Sequence, residues 1–213
     1  FLVLNMNILA EKEAEDFLED HGFPVARRIY TKTLNQALNA VKKTGYPIVM
    51  KVSSKKIIHK SDVNGVIVDI RNDKELTDSF NQIKKIKGLQ GVLIHEYLEG
   101  NALFLGLKYD ETFGHVVAIG SGGIYTEILK DITFRICPIA KEDALEMLRE
   151  LKIYKILNGY RGKEAVNFDK LSNLLVNLSR LPLKFKTIKE LDINPLIVSE
   201  KFAKIADARI VFN

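Results

Sequence analysis

The chain has 213 residues, with 32 Lys and Arg against 27 Asp and Glu for a formal charge of +5, and 46% of its residues are hydrophobic. That balance excludes global disorder, and apolar runs such as Pro47–Met50 and Gly65–Val68 fall far short of the ~20 residues a membrane helix needs. The single cysteine, Cys137, excludes an internal disulfide and a cysteine-built metal cage. Its setting in Phe134–Ile139 predicts a buried, inert thiol. The lysines are scattered, as at Lys42, Lys43, Lys84, Lys85 and Lys87, with no aromatic-interleaved basic stripe, so no nucleic-acid partner is expected. The same surplus charge suits phosphate-bearing small molecules. With no leader pattern and no membrane span, a cytoplasmic protein is expected.

In chain order, Leu9, Ala14, Phe17 and Leu18 recur at helical spacing over Leu9–Asp20, and Gly22 with Pro24 stops that helix. Thr33 and Gln36 form a capping box for a helix carrying Leu34, Ala37, Ala40 and Val41, closed by Gly45. An apolar run at Pro47–Val52, the segment KIIHKSDVNG at residues 56–65 and an alternating strand at Val66–Ile70 follow. Asp73–Lys85 carries Leu76, Phe80 and Ile83 at helical spacing, and Gly91–Leu98 is β-rich. The second half opens on strand-like Ala102–Lys108, turns at Tyr109–Gly114, and continues through a strand at His115–Ile119 into a glycine cluster. Helices are predicted at Lys141–Leu151 and Phe168–Leu181, and β-like runs at Ile188–Val198 and Phe202–Phe212. The pattern predicts an α+β protein of two lobes, 1–95 and 96–213, with a ligand cleft between them.

The stretch ELDINPLIVSEKFAKIADARIVF, residues 190–212, carries the most chemistry. On a strand, Glu190, Asp192 and Asn194 share one face and Leu191 and Ile193 the other. If the strands join by a tight turn at Glu200-Lys201, which lacks the Asn-Gly signal, Ser199 faces Phe202 and Asn194 stands opposite Asp207. Carboxylates and an amide oxygen converging without His or Cys suit a hard cation, Mg²⁺ or Mn²⁺, although a solvated strand face reads the same way. In GSGGIYTEILKD, residues 120–131, Gly120, Gly122 and Gly123 either make a tight turn or offer backbone amides to an anion. Glu127 and Asp131 are placed to reach the same cation, and Arg135 and Arg161 are candidates to hold phosphate. Lys51, inside PIVMKV, needs an anionic partner such as nucleotide phosphate if it is buried, or else it snorkels. His59 is either a surface-loop residue or a nucleophile able to take and pass on a phosphoryl group, with Ser61 or Asp62 orienting the ring.

Together, EKEAEDFLEDHGFPV, GYPIVMKV, IIHKSDVNGV, YDETFGHVVAIGSGGIYTEILKDITFRICP, LNGYRG and ELDINPLIV span almost the whole chain. In this order they resemble the ATP-grasp β subunit of ADP-forming acetate–CoA ligases, with a more distant similarity to succinyl-CoA synthetase β chains. The resemblance implies an ATP-grasp fold with the nucleotide held between two lobes. It implies that Lys51 contacts nucleotide phosphates and that Glu96, Tyr97 and Leu98 hold the adenine. It implies that Asn194 and Asp207 are Mg²⁺ ligands with Asp192 beside them, and that Gly122 and Gly123 approach the nucleotide. It further implies that His59 is the phosphohistidine that relays phosphate to ADP, with Arg161 in the catalytic set.

Three positions depart from the family pattern. Ala102 stands where a glutamate is usual, which makes Glu99 the alternative nucleotide contact; Ser121 replaces a leucine, and Asn64 a common glycine. No CoA-binding motif is visible, so the resemblance implies a separate CoA-binding α subunit in an α₂β₂ assembly. Two other readings of the same residues are an ATP-grasp ligase that makes an acyl phosphate without phosphohistidine, and a nucleotide-sensing module without turnover.

Overall fold

The computed structural model describes residues 7–54, 57, 60, 63–123, 130–162 and 164–213. In chain order the first half gives β1 (Asn7–Leu9), α1 (Glu11–Asp20), β2 (Arg28–Thr31), α2 (Leu34–Thr44), β3 (Ile48–Ser53), β4 (Val66–Ile70), α3 (Asp73–Ile83) and β5 (Gly91–Glu96). The second gives β6 (Asn101–Asp110), β7 (Gly114–Ser121), β8 (Ile132–Ile136), α4 (Lys141–Glu150), α5 (Tyr154–Leu157), α6 (Phe168–Lys184), β9 (Ile188–Val198), β10 (Ala203–Ile205) and β11 (Ala208–Phe212).

These elements form two units, Ala26–Leu98, and Phe1–Val25 together with Glu99–Asn213. The boundary expected at residue 95 is therefore corrected to Leu98, and the first 25 residues leave the lobe assigned to them. The reason is long-range pairing. β1 runs antiparallel to β11, with Asn7 opposite Phe212, Ile8 opposite Val211 and Leu9 opposite Ile210. On α1, Ala14 and Leu18 are fully buried in the core of the larger unit.

In the smaller unit four antiparallel strands lie in the order β2-β5-β3-β4. Ile48, Met50, Val52, Val92 and Ile94 point to one face and pack with Ala37, Ala40 and Val41 of α2 and Leu76, Phe80 and Ile83 of α3. Each such buried Leu, Ile or Val contributes about 1.5–3 kcal/mol. α2 begins where the sequence sets it: the Thr33 side chain accepts from Gln36 N at 3.3 Å, a cap worth about 1 kcal/mol. The return bond of the expected box goes to Lys32 N instead, at 2.8 Å from Gln36 Oε1. Asn64, the departure from glycine, sits at φ 51°, a left-handed conformation that asparagine tolerates.

The larger unit is built on a sheet ordered β1-β11-β9-β6-β7-β8, with β10 pairing β9, seven strands among the described residues. One face is covered by α1, α4 and α6 over Leu103, Leu105, Leu107, Val117, Ile119, Leu191, Ile193 and Ile210. The opposite face carries the alternate residues, among them Phe104, Gly106, Lys108, Glu190, Asp192, Asn194 and Arg209. No helix among the described residues is long and apolar enough to cross a membrane.

The glycine cluster that ends β7 is enforced by neighbouring backbone. A Cβ on Gly120 would lie 2.4 Å from the Asp131 carbonyl oxygen, and one on Gly122 2.4 Å from the Leu103 carbonyl carbon. Gly122→Ala is accordingly expected to cost about 3–5 kcal/mol, because backbone must move to admit the methyl group. Denaturant melts that leave the unfolding midpoint unchanged would refute this.

Candidate functional site

The register inferred for the C-terminal hairpin holds from the turn to Val211 opposite Glu190, and shifts by one residue at Phe212, which faces Ile188. Ala203 pairs with Val198, Ile205 with Leu196, Ala208 with Ile193 and Arg209 with Asp192. The Asn194 N–H donates to the Asp207 carbonyl at 3.1 Å, so the two candidate ligands stand opposite one another. The turn that makes this register lacks Asn-Gly. Instead the Ser199 hydroxyl accepts from the amides of Lys201 and Phe202, each at 3.2 Å, while Ser199 N donates to Phe202 O at 2.8 Å. A side-chain oxygen thus supplies what a glycine turn would otherwise provide.

Asn194 is held further by the glycine cluster, whose Gly123 N–H donates to Asn194 Oδ1 at 2.9 Å. Gly123 adopts φ +64° to do so, the left-handed region that glycine enters freely. The neighbouring Gly122 N–H goes to Ala102 O at 3.0 Å. Both amides are therefore committed inside the protein, and the anion cradle expected from Gly122 and Gly123 is not formed by them. Their evident role is to bring the end of β7 against the hairpin. Ala102, the position lacking a glutamate, lies beside Gly123, its Cβ 3.8 Å from where a Gly123 Cβ would stand.

Asp192 projects on the same face as Asn194 and Glu190, flanked by Gly106 on β6 and Arg209 on β11. Burial pushes its carboxyl up to about 7, aided by a hydrogen bond with Glu190 and that group's charge; Arg209 and Lys108 oppose the rise.

In the smaller unit Lys51 is only 6% exposed. It lies in the middle of β3, opposite Leu93 of β5 and Val66 of β4, on the sheet face away from α2 and α3. Sequence reasoning missed its companions. His95 pairs with Val49 on one side and Arg28 on the other, which puts both on the Lys51 face. Burial, then the charges of Lys51, Lys60 and Arg28, drive the His95 pKa well below the ordinary imidazole value, so the ring is neutral. The alternation in Val-Leu-Ile-His was the available signal, since it sets His95 opposite in sense to Val92 and Ile94. Glu96 ends β5 with its carboxylate accepting from the Arg27 amide at 3.0 Å and Arg27 Nε at 2.9 Å. The Tyr97 amide donates to Pro47 O at 3.3 Å. Leu98 closes this unit, and the exposed Glu99 opens the other.

Other expected contacts go elsewhere. Asp131 accepts from the amides of Lys152 at 2.8 Å and Ile153 at 3.0 Å, so it anchors the chain entering α5 and is not directed at a cation. Arg135 pairs with Glu150 of α4, and the free phosphate clamp expected of it is not formed. Arg161 is exposed in the loop after α5, at φ 49°, with its guanidinium 5.3 Å from the Tyr160 ring centroid. Cys137 is half-buried, and burial pushes its thiol up to about 12, which makes it inert as expected. His59, Ser61, Asp62 and Glu127 lie outside the described residues.

The family model described as "ATP-grasp domain" matches residues 3–212. The chain is 42% identical over 211 residues to the acetate–CoA ligase (ADP-forming) I subunit beta of Pyrococcus furiosus, covering 95% of this chain and 91% of that one. It is likewise 42% identical to the 4-hydroxybutyrate–CoA ligase (ADP-forming) of Nitrosopumilus maritimus, of which it spans only 30%. Among solved structures, a dinucleotide-forming acetyl-coenzyme A synthetase 1 of Ca. Korarchaeum cryptofilum, in complex with coenzyme A and Ca-AMPCP, superposes with a TM-score of 0.90 at 34% identity. That match covers 97% of this chain and 93% of the other. The chain belongs to the ATP-grasp family of ADP-forming acetate–CoA ligase β subunits.

Proposed function

We propose that the chain is the nucleotide-binding β subunit of an ADP-forming acyl-CoA synthetase. In the reaction acyl-CoA + ADP + phosphate ⇌ acid + CoA + ATP, it passes phosphate between His59 and ADP. The observation that carries the reading is the hairpin that sets Asn194 against Asp207, with Gly123 fixing the Asn194 side chain.

The donor set fits a divalent cation. Its oxygens are hard, and an amide oxygen accepting one hydrogen bond keeps a second lone pair. Asn194 and Asp207, with Asp192 beside them, would hold Mg²⁺, which when bound supplies neutralisation of phosphate charge. The protein's own part is positioning and charge. Lys51, buried with its stem among strand residues, presents an ammonium to nucleotide phosphate. Glu96, Tyr97 and Leu98 hold the adenine, the Tyr97 amide being already committed to Pro47. Glu99 adds a nucleotide contact, the Gly122–Gly123 turn serves by fixing the Asn194 side chain, and Arg161 offers a guanidinium to the transferring phosphate.

The remaining chemistry needs a CoA-binding α subunit. Relatives carry the matching region either as a named β subunit or as about a third of one longer chain, which supports an α part either separate or fused; of these we take a separate subunit in an α₂β₂ assembly, working in the cytoplasm. Incubation with γ-labelled ATP and Mg²⁺ in the presence of that partner is expected to leave acid-labile, base-stable label on this chain. Label that passes to the carboxylic acid without ever residing on protein would sink the relay.

A further inference from the structure

We infer that Arg27 is a positioning residue for the nucleotide base. It pins the Glu96 carboxylate, so that the main chain of residues 96–98 is presented to the base and the Glu96 side chain is not. The inference rests on the function proposed above, in which Glu96, Tyr97 and Leu98 hold the adenine, and adds to it a residue outside that set.

Arg27 directly precedes β2. The register that sets Arg28 opposite His95 places Arg27 opposite Glu96 one step further on. A regular hydrogen-bonded antiparallel pair exchanges both main-chain bonds. Here one of them is made, with Glu96 N donating to Arg27 O at 2.9 Å. The reciprocal donor, Arg27 N, goes instead to Oε1 of the Glu96 carboxylate at 3.0 Å. The second carboxylate oxygen accepts from Arg27 Nε at 2.9 Å. One residue thus holds Glu96 at three points, its amide and both side-chain oxygens. Bonds of this kind to an ionised group are about twice as strong as neutral ones. The Glu96 side chain keeps 10% of its surface exposed against 64% for Arg27, so the fork seals a nearly buried charge.

The other flank of β5 is fixed as well. Ile48 of β3 stands opposite Glu96, and Tyr97 N donates to Pro47 O at 3.3 Å. The chain is therefore held from both sides at the two residues before Leu98, where the smaller unit ends. A carboxylate with both oxygens engaged by Arg27 does not turn to accept from the N–H groups of a base. The base edge is then met by main-chain groups, whose placement follows the peptide planes that the Arg27 fork sets. A donor such as the 6-amino group of adenine suits a main-chain oxygen.

The test is calorimetric binding of two nucleotides to the full chain in Mg²⁺, with thermal melts in parallel. One is ADP; the other is purine riboside 5′-diphosphate, which lacks the 6-amino group. Arg27→Met is expected to weaken ADP binding roughly tenfold and the amino-free nucleotide by less than about twofold, because a displaced main chain forfeits polar contacts to the base. Arg27→Lys keeps the charge without the planar fork and should recover only part of the loss. Glu96→Gln keeps an oxygen for Arg27 N and removes the charge, so it should show the same ADP-selective loss. Adding Arg27→Met to it should cost less than about a further twofold, since the two side chains act as one unit. Should Arg27→Met fail to fold, the Lys and Gln variants decide the matter by the same comparison. Equal losses for both nucleotides would reduce Arg27 to a support of the fold, and unchanged ADP affinity would leave it no role. Either result overturns the assignment while the nucleotide-binding function stands. So would a wild-type chain that binds both nucleotides equally well, since the base would not be read through its amino group. A wild-type chain that binds neither would bring down the parent reading and this one together.

Discussion

His59→Ala is expected to abolish label transfer from γ-labelled ATP to the protein and to lower overall ATP synthesis by at least roughly a thousandfold, the scale for removing a nucleophile. Nucleotide affinity should change by no more than about twofold, since in the proposed relay the imidazole would take the phosphoryl group without holding the nucleotide in place. The chain on either side supports the choice. Next to Lys51, Val52 N donates to Gly65 O at 2.8 Å, and Gly65 N donates to Lys60 O at 2.7 Å. Lys60, the immediate neighbour of His59, contributes positive charge to the His95 environment on the same sheet face as Lys51. Acid-stable label, or label of equal amount in His59→Ala, would show that phosphate rests elsewhere.

The sequence made the hairpin legible because two independent signals agreed. Hydrophobic alternation over Ile188–Val198 fixed which side chains share a face, and the turn position fixed the pairing sum. α2 was legible for a similar reason, its Thr33 cap and Gly45 stop bracketing an amphipathic run. Elements whose outward faces are unusual escaped. β8 shows Phe134 and Ile136 exposed at 54% and 55%, so its apolar residues point the wrong way for a pattern reader. β2 mixes Arg28 and Tyr30 into four residues, too short for a period to emerge. The grouping of Phe1–Val25 with the C-terminal strands depends on pairing between residues some two hundred positions apart, which no local pattern encodes. At the site, the oxygen-bearing side chains were visible as a type and spacing. His95 and Arg28 were not, because a single polar residue in a short strand becomes informative only when neighbouring strands bring their cations to the same face. Asp131 shows the opposite failure: a carboxylate near a glycine cluster looks like a ligand until the amides of residues 152 and 153 are seen to occupy it.

Asp207→Ala is expected to raise the Mg²⁺ concentration needed for half-maximal nucleotide turnover by roughly a hundredfold and to reduce kcat by about 10²–10³, because the proposed site would lose its one charged oxygen ligand on that arm of the hairpin. The fold should survive the change. Across the hairpin the bond to Asn194 N uses the Asp207 main-chain oxygen, which alanine keeps, and the apolar residues on either side, Ile205 and Ala208, stay in the core. A melting temperature within a few degrees of wild type, together with the lost cation response, separates ligation from support of the hairpin. Asp207→Asn should fall between the two, since it keeps an oxygen donor without the charge, and added Mn²⁺ should recover more of its activity than of the alanine variant's. If Asp207→Ala showed an unchanged Mg²⁺ requirement, the cation would have to be held by Asp192 and Glu190 alone. The pairing of Asn194 with Asp207 would then be an ordinary hairpin contact.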